Sequence, residues 1–449
     1  MRKLIGLISF VCLVATIPAQ QKEARLFPYN YTIDDLDNGL RLVTVPTDFP
    51  NMVAVYIVVQ TGSRNEVEPG KSGYAHLFEH LMFRGSENYM PEQRDLVLKK
   101  AGADSNANTN EDRTTYYDVF SKEDLEPVLK LEADRFQRLK YSEPGYKTES
   151  LAVLGEYNKN SADPEQKLDE VLHATAFTKH TYEHTTMGFL KDIQDMPNQY
   201  NYSLQFYNRF YRPEYATIIV AGDVNREQTL SLTKKYFGDW KRGNYLPQIP
   251  AEPPQTGPRT ATVNWPSPTL PWLAIAFKGP AYSDDKKDKA ALDLLLPIAF
   301  GPNSDLYQRL VLKEQKVDRL EPDFGSHPDP ELFTVYIRVK DPKDLDYVRD
   351  TVLATFKQFT EQNVDQAKLD GTRSRIRYSF ALRMNSSPAI ANSLAPYIGL
   401  KRTPDTINKL FALYQQITPE DMRTIAGQYF VPNNRTIVTL TSAKGAKNQ

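Results

Sequence analysis

Cysteine is nearly absent from this sequence, because the only one among 449 residues is Cys12. Cys12 falls in an N-terminal stretch with the features of a removable leader, so the mature chain is expected to have no thiol. Disulfide bonds and thiolate metal ligands are then excluded, and any metal ion must be held by histidine, aspartate or glutamate. An excess of one charge is also lacking, since the formal net charge at pH 7 is −1. Overall charge therefore gives no indication of nucleic acid or an anionic membrane as a partner.

Apolar runs of membrane-spanning length are lacking as well. Arg2 and Lys3 precede an uncharged apolar stretch, residues 4–17, and a Pro-Ala pair follows it. This order is typical of a secretory signal peptide, so residues 1–19 are predicted to be removed. The stretch is shorter than the ~20 residues that a membrane-spanning helix needs, which argues against an uncleaved anchor. We expect an exported protein without membrane insertion, and the lack of cysteine favours a bacterial periplasm.

The mature chain is longer than one hydrophobic core usually covers, so two or more domains are expected. The clearest boundary is the stretch 243–258, which has five prolines among polar residues. We interpret it as a semi-rigid linker between an N-terminal domain, 20–242, and a C-terminal domain, 259–449. A proline-rich stretch can also be a ligand for another protein, although a linker is the commoner case.

Both predicted domains end on the same pattern. Residues 210–213, Phe-Tyr-Arg-Pro, follow a helical stretch and precede a β-rich run at 216–220. Residues 429–432, Tyr-Phe-Val-Pro, do the same before a β-rich run at 436–440. Duplication of one α+β domain is the simplest account of this repeat.

Periodicity in the first half predicts groups of strands with helices between them, and the first two strands are expected to pair. This arrangement favours an α+β fold in which each domain has a largely antiparallel sheet with helices packed on one face. The predicted strands are 40–45, 52–60, 106–109 and 114–120, and the predicted helices are 73–84, 91–100 and 122–139.

The most informative motif is His76-Leu77-Phe78-Glu79-His80. On a helix, positions i, i+3 and i+4 share a face, so both imidazoles and the carboxylate point to one place. This order, H-x-x-E-H, is the inverzincin motif, in which two histidines bind zinc and the glutamate handles a proton. Ser72 is expected to cap the helix start. The alternative is a buried helix whose histidines fill core positions, but each unpaired polar group there would cost about 1–3 kcal/mol.

A catalytic zinc site usually has three protein ligands, so a third must come from elsewhere in the chain. Residues 147–158 are predicted to form a helix that carries Glu149 and Glu156, seven residues apart and therefore on one face. Taken alone, two such glutamates are usually part of a solvated helix surface.

The motif followed by Glu156 after 75 intervening residues, with Glu149 one heptad earlier, resembles the insulinase/pitrilysin family of zinc metallopeptidases. The resemblance covers most of the mature chain and implies the fold of a two-domain subunit. It implies that His76, His80 and Glu156 bind one Zn²⁺, that Glu79 activates water, and that Glu149 supports catalysis without binding the metal. It also implies that Asn106 and Ala107, in a stretch similar to the family's substrate-side strand, contact the peptide substrate.

The sequence departs from this family in its second half. Complete members carry an Arg and a Tyr seven residues apart that hold the substrate and polarise its carbonyl, whereas the matching positions here are Val311 and Asp318. Neither side chain can donate a hydrogen bond to an oxyanion at pH 7. A homologous partner subunit that keeps the Arg/Tyr pair would supply it, which predicts a heterodimer, with a homodimer as the second choice. The alternative is that Arg309 or Arg319 substitutes through a shift in register.

The function predicted from these residues is hydrolysis of peptides or oligopeptides by a zinc-dependent endopeptidase subunit. The competing hypothesis is a subunit that binds zinc but serves as a scaffold in a larger complex, as some family members do. The other histidines of the mature chain, His173, His180, His184 and His327, are interpreted as structural rather than as metal ligands.

Overall fold

A computed structural model describes residues 25–443 of the chain, so the predicted leader, residues 1–19, lies outside the described residues. Two sheets and a larger set of helices make up the described part. The strands are β1 (Thr32–Asp35), β2 (Arg41–Pro46), β3 (Met52–Val59), β4 (Asp104–Thr109), β5 (Thr114–Ser121), β6 (Ala216–Gly222), β7 (Arg259–Trp265), β8 (Trp272–Lys278), β9 (Val317–Asp323), β10 (Leu332–Val339) and β11 (Arg435–Ser442).

Fifteen α-helices connect and cover these strands within residues 25–443, and none of them is long and apolar enough to cross a membrane. The helices are α1 (Tyr74–Leu81), α2 (Pro91–Lys100), α3 (Leu125–Gln137), α4 (Glu143–Asn160), α5 (Pro164–Ala176), α6 (Leu190–Asp195), α7 (Tyr200–Phe210), α8 (Arg226–Phe237), α9 (Lys287–Ala299), α10 (Asp305–Tyr307), α11 (Leu345–Glu361), α12 (Gln366–Arg383), α13 (Ser387–Lys401), α14 (Asp405–Gln416) and α15 (Pro419–Tyr429).

The two sheets have the same strand order. The first is β1-β2-β6-β3-β5-β4 and the second is β7-β11-β8-β10-β9, which repeats the first sheet without β1. Each sheet contains one parallel pair, β2 with β6 and β7 with β11, and its other pairs are antiparallel. The predicted α+β fold with two similar, largely antiparallel domains is therefore confirmed.

The predicted pairing of residues 40–45 with residues 52–60, which correspond to β2 and β3, is wrong. Strand β6 lies between β2 and β3 and pairs with both. All seven residues of β6 are buried, so this strand needs a neighbour on each side and cover on both faces. Neighbouring strands are about 4.8 Å apart, so a short loop can cross over one intervening strand. The chain from Pro46 to Met52 makes that crossing.

Each domain packs its own helices on one face of its sheet, and a helix from the other domain covers the opposite face. Helix α13, from the second half, packs Ile390, Leu394 and Ile398 against β3 and β6 of the first sheet. Helix α5, from the first half, packs Leu168 and Leu172 against the second sheet. This exchange makes the core of each domain depend on the other.

The proline-rich stretch contains neither helix nor strand and contacts both domains. The Glu252 carboxylate accepts hydrogen bonds from the backbone N–H groups of Thr178, Lys179 and His180 in the first domain. It also pairs with Lys278 of β8 at 2.9 Å. These contacts fix the stretch against the domain boundary.

Histidine–carboxylate pairs join the domains elsewhere. Asp112, between β4 and β5, accepts hydrogen bonds from His327 Nδ1 and the Tyr182 hydroxyl, both at 2.7 Å. His180 pairs with Asp329 of the second domain at 3.0 Å. The interpretation of these histidines as structural agrees with these contacts.

His173 of α5 also faces carboxylates at this boundary. Its Nδ1 lies 2.8 Å from the Tyr182 carbonyl oxygen, and Asp169 and Glu331 each approach the ring to 3.6 Å. Burial lowers the pKa of His173, but Asp169 and then Glu331 raise it by more, to about 9. Burial raises the pKa of Glu331 to about 7.

Replacing Leu394 with alanine is expected to lower the free energy of unfolding by about 2–5 kcal/mol, because this fully buried side chain of α13 fills the space over the first sheet. Urea unfolding followed by circular dichroism measures the change. Leu382→Ala, on the preceding helix, is the matched control: Leu382 is 74% exposed and the change should stay within about 0.5 kcal/mol. Equal effects of the two substitutions would contradict the proposed packing.

The stability of the protein is expected to fall between pH 6.5 and 9. The pKa of His173 is raised in the folded state, so its contribution is complete below the unfolded value near 6.5 and is lost as the pH rises through about 9. The loss should be on the order of 3 kcal/mol from this group. Urea unfolding at several pH values tests this, and His173→Gln should flatten the profile in that window. A variant profile as steep as that of the wild type would contradict the assignment.

Candidate metal centre

Helix α1 carries the histidine motif on the surface of the first sheet, beside the edge strand β4. Leu77, Phe78 and Leu81 are fully buried in the core of the first domain and fix the rotation of the helix. The opposite face then presents His76 and His80, whose Nε2 atoms lie 3.4 Å apart. One turn of helix therefore brings two ring nitrogens to one point.

Glu156 approaches these nitrogens from α4, which is longer than the predicted helix because the Ser142 side chain caps it and Pro144 occupies its first turn. Helix α4 packs against α1. Glu156 Oε2 lies 3.6 Å from His76 Nε2 and 3.4 Å from His80 Nε2. One ligand atom from each of the three residues lies within 4.8 Å of the others, so the structure brings together the three predicted ligands.

The electrostatics of His76 suit a metal ligand. His76 is 8% exposed, and burial followed by the neighbouring His80 lowers its pKa to about 4, against the opposing charge of Glu156. The ring is therefore neutral at pH 7, which is the form that binds a metal ion. Two imidazoles and one carboxylate, partly open to solvent, fit the donor set of a catalytic zinc site.

Glu79 lies on the same face of α1, between the two histidines, and is half-buried. Burial raises the pKa of its carboxyl group, while hydrogen bonding by Thr109 of β4 opposes that rise. A carboxylate with a raised pKa is a better base at neutral pH than one in water.

Glu149 is almost fully buried and stands behind His80 rather than among the ligand atoms. Its Oε1 lies 2.6 Å from an Arg84 guanidinium nitrogen, and its Oε2 lies 3.8 Å from His80 Nδ1. Sequence reasoning missed Arg84, although it follows His80 by one helical turn and could have been identified from that spacing.

Asn106 and Ala107 lie in β4, which pairs with β5 and forms one edge of the first sheet. The Ala107 N–H donates to the side chain of Asn106 at 2.9 Å. Asn106 itself is exposed, whereas Ala107 is buried. A backbone donor at a sheet edge that is bonded only to an exposed side chain can pair with another strand instead.

The prediction that Ser72 caps α1 is wrong. Gly73 is the N-cap residue of α1. The Ser72 hydroxyl donates to Asp192 at 2.7 Å and accepts from the Phe189 N–H at 2.8 Å. Glu66, ten residues before His76, takes the capping role: its carboxylate accepts hydrogen bonds from the N–H groups of Gly73 and Ala75.

In the second domain, Val311 lies in a π-helical segment, Gln308–Lys313, and packs against the core. Asp318, at the start of β9, forms a two-point ion pair with Arg338. Neither residue presents a hydrogen-bond donor.

The two arginines named as substitutes are held by carboxylates of the chain. Arg309 pairs with Glu314 at 2.8 Å, and Arg319 pairs with Glu165 and Glu321. Both guanidinium groups are therefore already paired with carboxylates of this chain.

The chain is similar to known peptidases. Residues 41–189 match the model "Insulinase (Peptidase family M16)", and residues 199–376 match "Peptidase M16 inactive domain". The zinc protease PqqE of Helicobacter pylori is 29% identical over 98% of both chains. A probable mitochondrial-processing peptidase subunit beta of Schizosaccharomyces pombe is 24% identical over 91% of both chains.

A solved peptidase structure has the same fold as this chain. A protease from Helicobacter pylori superposes with a TM-score of 0.86 at 28% identity, covering 92% of this chain and 99% of that one. The two family models together match most of the chain, and the motif helix lies inside the first of them. This protein is a member of the insulinase family of peptidases, M16.

Proposed function

We propose that this protein is a zinc-dependent endopeptidase subunit that hydrolyses peptides or oligopeptides. The observation that carries the proposal is the convergence of His76, His80 and Glu156 within 4.8 Å, beside Glu79 and the edge strand β4. The names of the relatives, a zinc protease and a processing-peptidase subunit, support the same class of reaction.

His76, His80 and Glu156 would hold one Zn²⁺ ion. When bound, such an ion supplies Lewis acidity and lowers the pKa of water to about 7. The chain itself must supply the proton transfers. Glu79 takes the proton of the attacking water and later gives it to the departing amine, roles that its raised pKa favours.

Glu149 orients the site in this proposal. Its carboxylate lies near His80 Nδ1, and Arg84 holds it from the other side. A carboxylate behind a metal-binding histidine fixes the ring orientation and the tautomer, so that Nε2 is free to bind the metal. Glu149 therefore supports the reaction through His80 without touching the metal.

The substrate would bind as an added strand. An extended peptide that pairs with the edge of β4 would take the Ala107 N–H from the Asn106 side chain and lie along α1. Strand addition reads the peptide backbone more than its side chains. Unfolded peptides are accordingly better candidates than folded proteins.

A homologous partner subunit would complete the site. Val311 packs against the core and Asp318 is paired with Arg338, so neither side chain offers a donor at the positions where complete family members have Arg and Tyr. A relative named as the beta subunit of a peptidase supports a multi-subunit assembly. With the leader at residues 1–19, the assembly would be exported, with a bacterial periplasm as its location.

A second candidate function is a zinc-binding scaffold without turnover. The same two positions, Val311 and Asp318, favour it, as does the match of residues 199–376 to a domain described as inactive. The peptidase proposal has the stronger support, because a scaffold has no need for Glu79 beside the three ligands.

Glu79→Gln is expected to leave one zinc ion per chain bound and to reduce peptide cleavage by roughly 10²–10⁴-fold, because the amide cannot take a proton. Zinc content by mass spectrometry and cleavage of a quenched peptide measure the two effects. Glu92→Gln, at an exposed position on α2, is the control and should change neither. Undiminished cleavage by the Glu79 variant would contradict its assignment as the base.

The chain purified alone is expected to bind zinc but to cleave a quenched peptide slowly, because the donors opposite the metal are missing. Co-purification from the native host should recover a homologous subunit and raise the rate, and a chelator should abolish it. Full activity of a verified homomer would refute the need for a partner. Zinc binding without chelator-sensitive cleavage, even in the recovered complex, would favour the scaffold.

A further inference from the structure

The helix that carries the motif starts without a cap of its own. Its N-cap residue is Gly73, with φ +89°, and a glycine has no side chain to accept the free N–H groups of the first turn. Helix α1 is only eight residues long, so His76 lies inside that first turn. The position of His76 therefore depends on what holds the free end of the helix.

Glu66 holds it. The Glu66 carboxylate accepts a hydrogen bond from Gly73 N–H and another from Ala75 N–H, each at 2.7 Å. Its side chain is fully buried. Ala75 directly precedes His76, so one of these bonds fixes the peptide unit next to the first predicted metal ligand.

The segment before Glu66 is attached to the loop between β4 and β5. Arg64 N–H donates to the Glu111 carbonyl at 2.7 Å, and a Cβ on Gly62 would lie only 2.2 Å from the Asn110 carbonyl oxygen. Glu66 thus connects α1 to the end of the edge strand on which we propose that substrate binds. Glu66 thereby fixes the position of α1 relative to β4.

A second contact closes over the same helix end. A Cβ on Gly188 would lie 2.6 Å from Gly73 N, so the backbone around residue 188 packs directly on the start of α1. The start of α1 is therefore held from two sides, by the Glu66 carboxylate and by the backbone around residue 188.

A buried carboxylate is a costly cap. Burial raises the pKa of Glu66 to about 8, against the hydrogen bonds from Ala75, Gly73 and Tyr74. His184 approaches it to 3.8 Å, but burial lowers the pKa of that histidine to about 4, so its ring is neutral and does not balance the charge. Serine or asparagine would cap a helix without this cost. A local cost of this kind is typical of functional sites.

We propose that Glu66 is a positioning residue for the metal centre, which holds the peptide units of Gly73 and Ala75 and thereby places His76. This inference rests on the proposed zinc site. The two N–H groups bind different oxygens of the carboxylate, whereas an amide would place an NH2 group, which only donates, against one of them. Loss of one bond would let the first turn of α1 shift, and His76 would move with it.

The test is zinc affinity of the folded, full-length chain. Glu66→Gln is nearly isosteric and replaces one of the two acceptor oxygens, so it should remain folded by circular dichroism. Competition with a chromophoric chelator should give a zinc dissociation constant raised by about 10-fold or more, as is typical when a supporting group around a metal site is lost. The absorption spectrum of the Co²⁺ form should change, because it reports ligand geometry.

Glu68→Gln is the matched control. Glu68 lies two residues along the same segment and is paired with Arg209 at a half-exposed position. It should leave the zinc dissociation constant and the Co²⁺ spectrum unchanged. If Glu66→Gln does not fold, Glu66→Asp keeps the charge but shortens the side chain, and the same two measurements apply to it with the same expected direction.

The outcomes separate the two proposals. A wild-type chain that binds no zinc overturns the metal site and this inference with it. A wild-type chain that binds zinc while the Glu66 variant binds it equally, with an unchanged Co²⁺ spectrum, overturns only the positioning role. A variant with a lower unfolding midpoint but unaltered zinc affinity would make Glu66 a purely structural cap, which also overturns it.

Discussion

The packing of α1 against α4 is the contact on which the rest of the site depends. Two ring nitrogens come from one helix turn, but the third donor, Glu156, is set only by how the second helix lies on the first. Bringing these groups together has a cost, since burial and the neighbouring ring lower the pKa of His76. A bound metal ion would offset that cost. The contact that brings the three proposed ligands together therefore also lowers the stability of the chain without metal.

The domains are joined in a way that supports this contact from a distance. Helix α13 of the second half covers the back of the first sheet, and α5, which follows α4 directly, covers the second sheet. The helix with Glu156 is thus continuous in sequence with one that belongs to the core of the other domain. Movement of the two domains apart would therefore displace α4. The histidine–carboxylate pairs at the boundary, such as His327 with Asp112, hold the two domains together.

The same strand order in both halves explains what the second domain retains and what it lacks. Strand β9 occupies in the second sheet the edge position that β4 occupies in the first. Its charged residues, Asp318 and Arg319, are engaged with Arg338 and Glu165. The edge of the first sheet, in contrast, lies beside the motif helix. The two halves share one architecture, and the histidine motif lies in the first of them.

Sequence alone determined which residues of α1 share a face, because helical spacing is local: His76, Glu79 and His80 share a face in any helix. It predicted the strands and α-helices from β2 to α4, but not those from β7 to α14. It also gave Pro91–Lys100 as a helix with its correct bounds, since a proline opens it. Tertiary structure decided the rest. Strand β6 pairs between β2 and β3, and Arg84 pairs with Glu149, because packing brings together groups that are far apart in sequence. Packing also decides that Glu66, and not Ser72, caps α1. Periodicity cannot report which distant groups meet, because that is set by how whole elements pack.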